Sequence, residues 1–183
     1  MPLYQITIAE QRRFALTRDE AERRSLVRAL VSVAAGRLLF FNLVDDHFHA
    51  AARTDQPRLL ATSLRRVIAA RRRDLKLKPA WTEPIASRGH LMSLVRYQVL
   101  QADHHRLVSA SLLDAGCCFQ DLVKARILDG FSVQPLKEEA PRLHLSELFA
   151  QVGLEAVELA PATDEALRRA GLARIVELAG GVF

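Results

Sequence analysis

Hydrophobic and polar positions alternate from the first residues onward. Leu3-Tyr-Gln-Ile-Thr-Ile-Ala9 carries β-branched side chains on a period of two, which predicts a strand over 3–9. Thr17-Arg-Asp-Glu20 has the spacing of a capping box, with the Thr17 hydroxyl on the first free amides and Glu20 reaching back. The period then changes to that of a helix running to Ala35, with Leu26, Leu30 and Val33 on one face and Gly36 ending it. Leu38 to Val44 is almost continuously apolar, the pattern of a strand buried on both faces. Asp45-Asp46 supplies a turn, and His47 to Arg53 is the returning strand of a hairpin.

The second half of the pattern is helical. Pro57 suits a first helical turn, and the helix it opens runs to about Arg73 on Leu60, Leu64, Val67 and Ile68. Leu75 to Pro84, with Pro79 and Pro84, reads as a loop. Leu91 to Leu100 reads as a helix with Leu91, Leu94 and Val95 inward. Cys118 to Leu128 is expected to be helical, closed by Asp129-Gly130, and Ser132 to Pro141 reads as a linker. Two more helices are expected at 145–152 and 163–178, the second capped by Thr163. Their net charge is negative, which argues against a DNA-reading helix-turn-helix and favours packing onto the first unit. Strand, helix, strand, strand, helix implies an α+β sandwich, an antiparallel sheet with helices packed on it. The domain division that follows is residues 1–131 and a C-terminal helical extension, 132–183.

Composition adds limits. Half of the 183 residues are hydrophobic and a quarter charged, an ordinary globular balance. No apolar run reaches the roughly 18 residues of a membrane span, and the N-terminus lacks the basic and apolar regions of a signal peptide. Cys117 and Cys118 are neighbours, a poor geometry for bridging. Two buried thiols in a reducing cytoplasm is the expected state. Charge is uneven: residues 1–78 hold 16 Lys/Arg against 8 Asp/Glu, and residues 79–183 hold 10 against 13. That asymmetry points to a polyanion on the N-terminal half. Arg65, Arg66, Arg71, Arg72 and Arg73, with Lys76 and Lys78, are the expected phosphate-contacting residues.

The chemistry centres on His47-Phe48-His49. On a strand, residues two apart share a face, so both imidazoles would stand together with Phe48 turned into the core. Such a pair can hold a divalent cation. Asp74 and Asp46 are the nearest carboxylates to weigh as a third ligand, and Asp46, if on the strand, would face the other way.

Tyr4-Gln-Ile-Thr-Ile, then Phe14 and a capped helix, then a hydrophobic strand leading into His-x-His resembles the single-tyrosine HUH transposases, most closely the REP-associated branch. The stretch from Ile85 through His90-Leu91 to Leu94-Val95-Arg96-Tyr97 is also similar to that branch, and the resemblance covers roughly residues 3–131. It implies a ferredoxin-like fold with the histidine pair on the central sheet, acting on single-stranded DNA at hairpin-forming ends. On it, His47 and His49 carry over as ligands of Mg or Mn, and a tyrosine on the helix after the histidine strand attacks the phosphodiester. That helix here reads Ser63-Leu-Arg-Arg-Val-Ile-Ala-Ala-Arg-Arg-Arg-Asp74, and no tyrosine occurs from 50 to 96. Ser63 is a weak nucleophile without an activating base. Tyr97 is read on this resemblance as a tyrosine other than the nucleophile.

The expectation is therefore a protein that binds hairpin or single-stranded DNA, domesticated or degenerate, without strand-transfer activity and forming no covalent adduct. The alternative is an active metal-dependent single-strand transposase or endonuclease with a nonstandard nucleophile. A homodimer, frequent in that group, stays open.

Overall fold

A computed structural model of the chain describes residues 1–99, 101, 114–122 and 126–141. Its elements are β1 (Leu3–Ala9), α1 (Glu20–Ala34), β2 (Leu38–Leu43), β3 (His47–Arg53), α2 (Pro57–Arg71), β4 (Trp81–Pro84), α3 (Arg88–Val99), α4 (Phe119–Leu122) and α5 (Gln134–Glu139). The four strands form one antiparallel sheet in the order β2-β3-β1-β4. Read from the other edge this is 4-1-3-2 with βαββαβ connectivity, the ferredoxin-like arrangement. The fold is α+β, as the hydrophobic pattern implied.

Alternation along β1 and β3 sorts the two faces. Ile6 and Ile8 stand opposite Ala50 and Phe48, and all four are fully buried. Against that face pack α1 and α2, side by side, through Leu26, Leu30, Leu60, Leu64 and Ile68. Gln5, Thr7, His47 and His49 point the other way and are only half-buried. Over the β2 end of this second face lies α3, with Leu91, Leu94 and Val95 inward as expected. Thus β2 is covered on both sides, and every one of its residues is buried.

Several local expectations shift. The α1 cap is Asp19 rather than Thr17: the Asp19 carboxylate accepts the Glu22 amide at 2.8 Å, and Glu22 accepts the Arg18 amide at 2.6 Å. The box forms two residues later, where a carboxylate meets the positive helix end. Val33 is exposed; Val27, Val31 and Ala34 complete the buried stripe instead. Ala35 and Gly36 both take left-handed backbone to end the helix. The expected loop 75–84 contains β4, which pairs with β1 from Tyr4 to Thr7. Prolines suggested a loop, but Pro84 closes a short edge strand, where a missing N–H is tolerated. Arg126 to Leu128 are not helical. The Ser132–Pro141 linker is instead largely helix α5, with Leu136 and Ala140 in the core and Arg53 paired to Glu139 at 2.8 Å. The helices expected at 145–152 and 163–178 lie outside the described residues. Cys117 and Cys118 are free and buried, and burial pushes the Cys118 thiol well above its ordinary pKa.

A buried ion pair locks the outer edge of β2. Arg23, on α1, donates to Asp114 at 2.8 Å and 3.0 Å and also to the Leu43 carbonyl. The Gly116 carbonyl accepts the Leu43 amide and the Phe41 carbonyl accepts the Cys118 amide, so the edge has backbone partners. A side chain at Gly116 would collide with the Leu43 carbonyl and the Arg23 guanidinium, so only glycine fits that approach. Arg23→Met alone should cost about 3–5 kcal/mol, because it strands the buried Asp114 carboxylate. Arg23→Met with Asp114→Leu should recover most of that loss, as read by urea unfolding. A single-variant cost near zero would show that the pair does not clamp the edge.

Candidate functional site: paired imidazoles on the open face of the sheet

His47 and His49 share the half-open face, with ring centroids 4.4 Å apart and planes at 82°. Phe48 is fully buried behind them. Each ring is held at Nδ1. Asp46 has left the strand for the hairpin turn, and its carboxylate sits 2.6 Å from His47 Nδ1. A carboxylate only accepts, so His47 Nδ1 carries a proton, and in the neutral ring Nε2 keeps the lone pair. Thr7, the cross-strand neighbour of His49, places its hydroxyl 3.0 Å from His49 Nδ1. With His49 Nδ1 as donor, both rings present Nε2 as the ligating nitrogen. Neither Thr7 nor this role for Asp46 was visible in the sequence. The signal lay in the register: only β1–β3 pairing reveals that residue 7 faces residue 49.

One row of residues crosses the whole sheet here: Asn42 on β2, His49 on β3, Thr7 on β1 and Trp81 on β4. Asn42 donates its side-chain amide to the Gln98 carbonyl at 2.6 Å, which fixes α3 over the imidazole face. The neighbour of Gln98 is Tyr97, half exposed. The other tyrosine, Tyr4, stands opposite Ala52 on the α1/α2 side. Hence the tyrosine carried to the histidine side is Tyr97, on α3. Helix α2, with Ser63, packs on the opposite face, so no side chain of α2 is placed to attack a group held by the histidines.

The donor set fits a divalent cation in part. Among the described residues no group of three His, Cys, Asp or Glu converges. Oxygen atoms are nonetheless present on the same side: Asn42 Oδ1 and the Gln98 side-chain oxygen are buried without a hydrogen-bond partner. Buried polar atoms left unpaired are rare, and their cost is commonly explained by an ion or water. Two imidazoles with oxygen donors suit Mn better than Mg, which prefers carboxylate and water.

Asp74 is not part of this cluster. Its carboxylate pairs with Arg72 at 2.8 Å and lies 3.8 Å from Arg18. The Arg72 hydrogen bond, foremost, holds its carboxyl down to about 2. Arg72 is correspondingly no surface cation: it is buried, holding Asp74 and donating to the Ala15 carbonyl. Arg65 is half-buried, its guanidinium donating to the Lys78 and Leu77 carbonyls. Arg66, Arg71, Arg73, Lys76 and Lys78 are exposed. The structure divides them: Arg66 and Arg71 ride on α2, behind the sheet, with Arg73 just past its end, whereas Lys78 adjoins Ala9, the partner of His47. Arg12 and Arg13, exposed just past the end of β1 at the His47 end, were passed over in the sequence. His90 sits in the first turn of α3, its amide donating to Ser87. His104 and His105 lie outside the described residues.

No family model matches the chain, and no curated protein matches it. Among solved structures, one of a REP-associated tyrosine transposase bound to a REP hairpin superposes with a TM-score of 0.55. It is 17% identical in sequence, and the match covers 69% of this chain and 81% of that one. The likeness establishes a shared fold. Among the described residues no helix is long and apolar enough to cross a membrane.

If the imidazole pair holds Mn, replacing Asp46 with Asn, or Thr7 with Val, should leave the fold intact and weaken that binding by about 10- to 100-fold, since such partners orient ligating imidazoles. Titration followed by Mn electron paramagnetic resonance reads this directly; wild-type affinity in both variants would exclude the arrangement. Because the folded Asp74 pKa lies below its ordinary 3.8, the Arg72 pair stabilises fully above that value and is lost as pH falls toward about 2. Asp74→Asn should therefore lower the Tm at neutral pH and flatten its decline across that acid window, measured by calorimetry.

Proposed function

We propose that this protein binds hairpin or single-stranded DNA in the manner of the single-tyrosine HUH transposases, with His47 and His49 holding Mn or Mg at the phosphate. The observation that carries this reading is the imidazole pair, oriented by Asp46 and Thr7 on the open face of a ferredoxin-like sheet. Support comes from the fold it shares with a transposase solved on a REP hairpin and from the basic N-terminal half. An ion bound there would neutralise phosphate charge and polarise the scissile bond.

The expectation of lost chemistry rests on the missing tyrosine of α2, and α2 packs on the face of the sheet opposite the imidazoles. Tyr97 is the phenol on the histidine side, and Asn42 ties its helix to the row that contains His49. The geometry thus favours retained cleavage, with Tyr97 oxygen attacking phosphorus, a phosphotyrosine bond forming and a sugar hydroxyl leaving. Binding without cleavage is the second reading, favoured by the absence of a converging third ligand among the described residues.

Labelled hairpin DNA incubated with protein and Mn, then resolved on a denaturing gel, separates the two. A covalent band absent in Tyr97→Phe and in His49→Ala establishes cleavage. Salt-sensitive binding with no such band establishes the binding-only reading, since phosphate contacts release counterions. No hairpin binding at low salt would refute both.

A further inference from the structure

A groove of about 570 Å³ runs along the outer edge of β4, between α2 and the segment that leads into the strand. Arg58, Thr62 and Arg65 line one side, and Pro79 to Thr82 the other. Trp81, the chain's single tryptophan, is 50% exposed at its lip. Arg58 is exposed and has no ion-pair or hydrogen-bond partner among the described residues. Arg65 pins the Leu77 and Lys78 carbonyls to α2 at 3.0 Å and 2.9 Å, so the groove wall is held in place before any ligand arrives. No carboxylate lines it.

We infer that this groove takes unpaired nucleotides of a DNA strand, a base stacking on Trp81 and its phosphate meeting Arg58. The inference rests on the DNA-binding reading above and adds a location and a ligand class to it. Three features favour a polynucleotide over a peptide. An indole beside guanidinium groups is the chemistry of sequence-tolerant base stacking and phosphate contact. The wall carries cations only, which suits a polyanion. The third is position: Trp81 ends the same row that contains Thr7 and His49. At about 4.8 Å per strand, His49 is roughly 10 Å away across the sheet. A strand seated in the groove therefore passes directly onto the face that carries the imidazoles.

Trp81 fluorescence reports the test without a label, in the full-length protein. Two probes are compared, a blunt hairpin and the same hairpin carrying an oligothymidylate flank. The flanked probe should quench the fluorescence and the blunt one should not. By gel shift, since the variant has no tryptophan to read, Trp81→Ala should weaken the flanked probe by about 5- to 100-fold, and the blunt probe less than twofold. Trp81→Phe, a more conservative replacement at the lip, should keep most of the flank affinity, and Arg58→Ala should lose part of it. Equal losses on both probes, or unchanged affinity for the flanked one, would overturn the inference while leaving hairpin binding standing. A Trp81→Ala protein with unchanged DNA affinity and a lowered sedimentation mass would reassign the edge to contact between copies. No binding of either probe by the wild-type protein would bring down the DNA-binding reading itself.

Discussion

The pairing register of β1 with β3 is the constraint on which the site depends. Thr7 opposite His49 and Ile8 opposite Phe48 are one statement, because side chains on a strand alternate. A slip of one residue would bury both imidazoles against α1 and α2 and expose a phenylalanine. The register is specified by burial on the helix side, where Ile6, Ile8, Phe48 and Ala50 admit no water. The open face, which tolerates polar residues, inherits its geometry from that core. Chemistry on one face is thus positioned by hydrophobic burial on the other.

The polar side is less fully satisfied: unpaired atoms lie beneath α3 at Asn42 and Gln98, and at Arg53 Nε at the far end of β3. Asn42 uses one side-chain atom to hold α3 and leaves the other unpaired, and the Gln98 amide is buried without a partner at either atom. Such groups cost stability where nothing complements them. Their position beneath α3, in or beside the row that contains His49, is where a bound ion or its waters would supply the missing partners. By contrast, the edge-clamping pair of Arg23 and Asp114 spends its hydrogen-bonding capacity internally, with Gly116 and Leu43 absorbing the remainder.

Much of the fold was legible because the periods were clean. The alternation of Leu3 to Ala9, the buried run from Leu38 and the His47–Arg53 strand all emerge where the pattern placed them. The strand at 81–84 was not legible, since its residues are half-exposed or exposed and two prolines bracket the segment. Its existence is a tertiary effect, the free edge of β1 seeking a partner. Arg72 read as one of a cationic run, yet its place at the α2 terminus turns it inward to Asp74. The histidine pair was visible from spacing alone. Its supports were not, because Thr7 lies 42 residues away in sequence. Least legible was which helix faces the imidazoles: sequence order suggests the next one, whereas a split βαβ topology sends that helix behind the sheet.

That topology also decides what the arginines on α2 can do. Arg66 and Arg71 occupy the helix layer, separated from the imidazoles by the sheet itself. A sheet and a layer packed on it are about 10 Å apart, comparable to a Debye length of roughly 8 Å at physiological salt. On the proposed reading, charges at that remove would contribute little to a phosphate at His49 and would act on an approaching polyanion only through the long-range field. A DNA strand touching both layers, as proposed, would have to pass around an edge of the sheet, and β4 is one such edge. Lys78, Trp81 and Arg58 gather along that edge. A nucleic acid long enough to touch both layers would have to bend across it, so on the proposed reading the edge strand, rather than either face alone, would set how the basic surface and the candidate chemical centre act on one molecule.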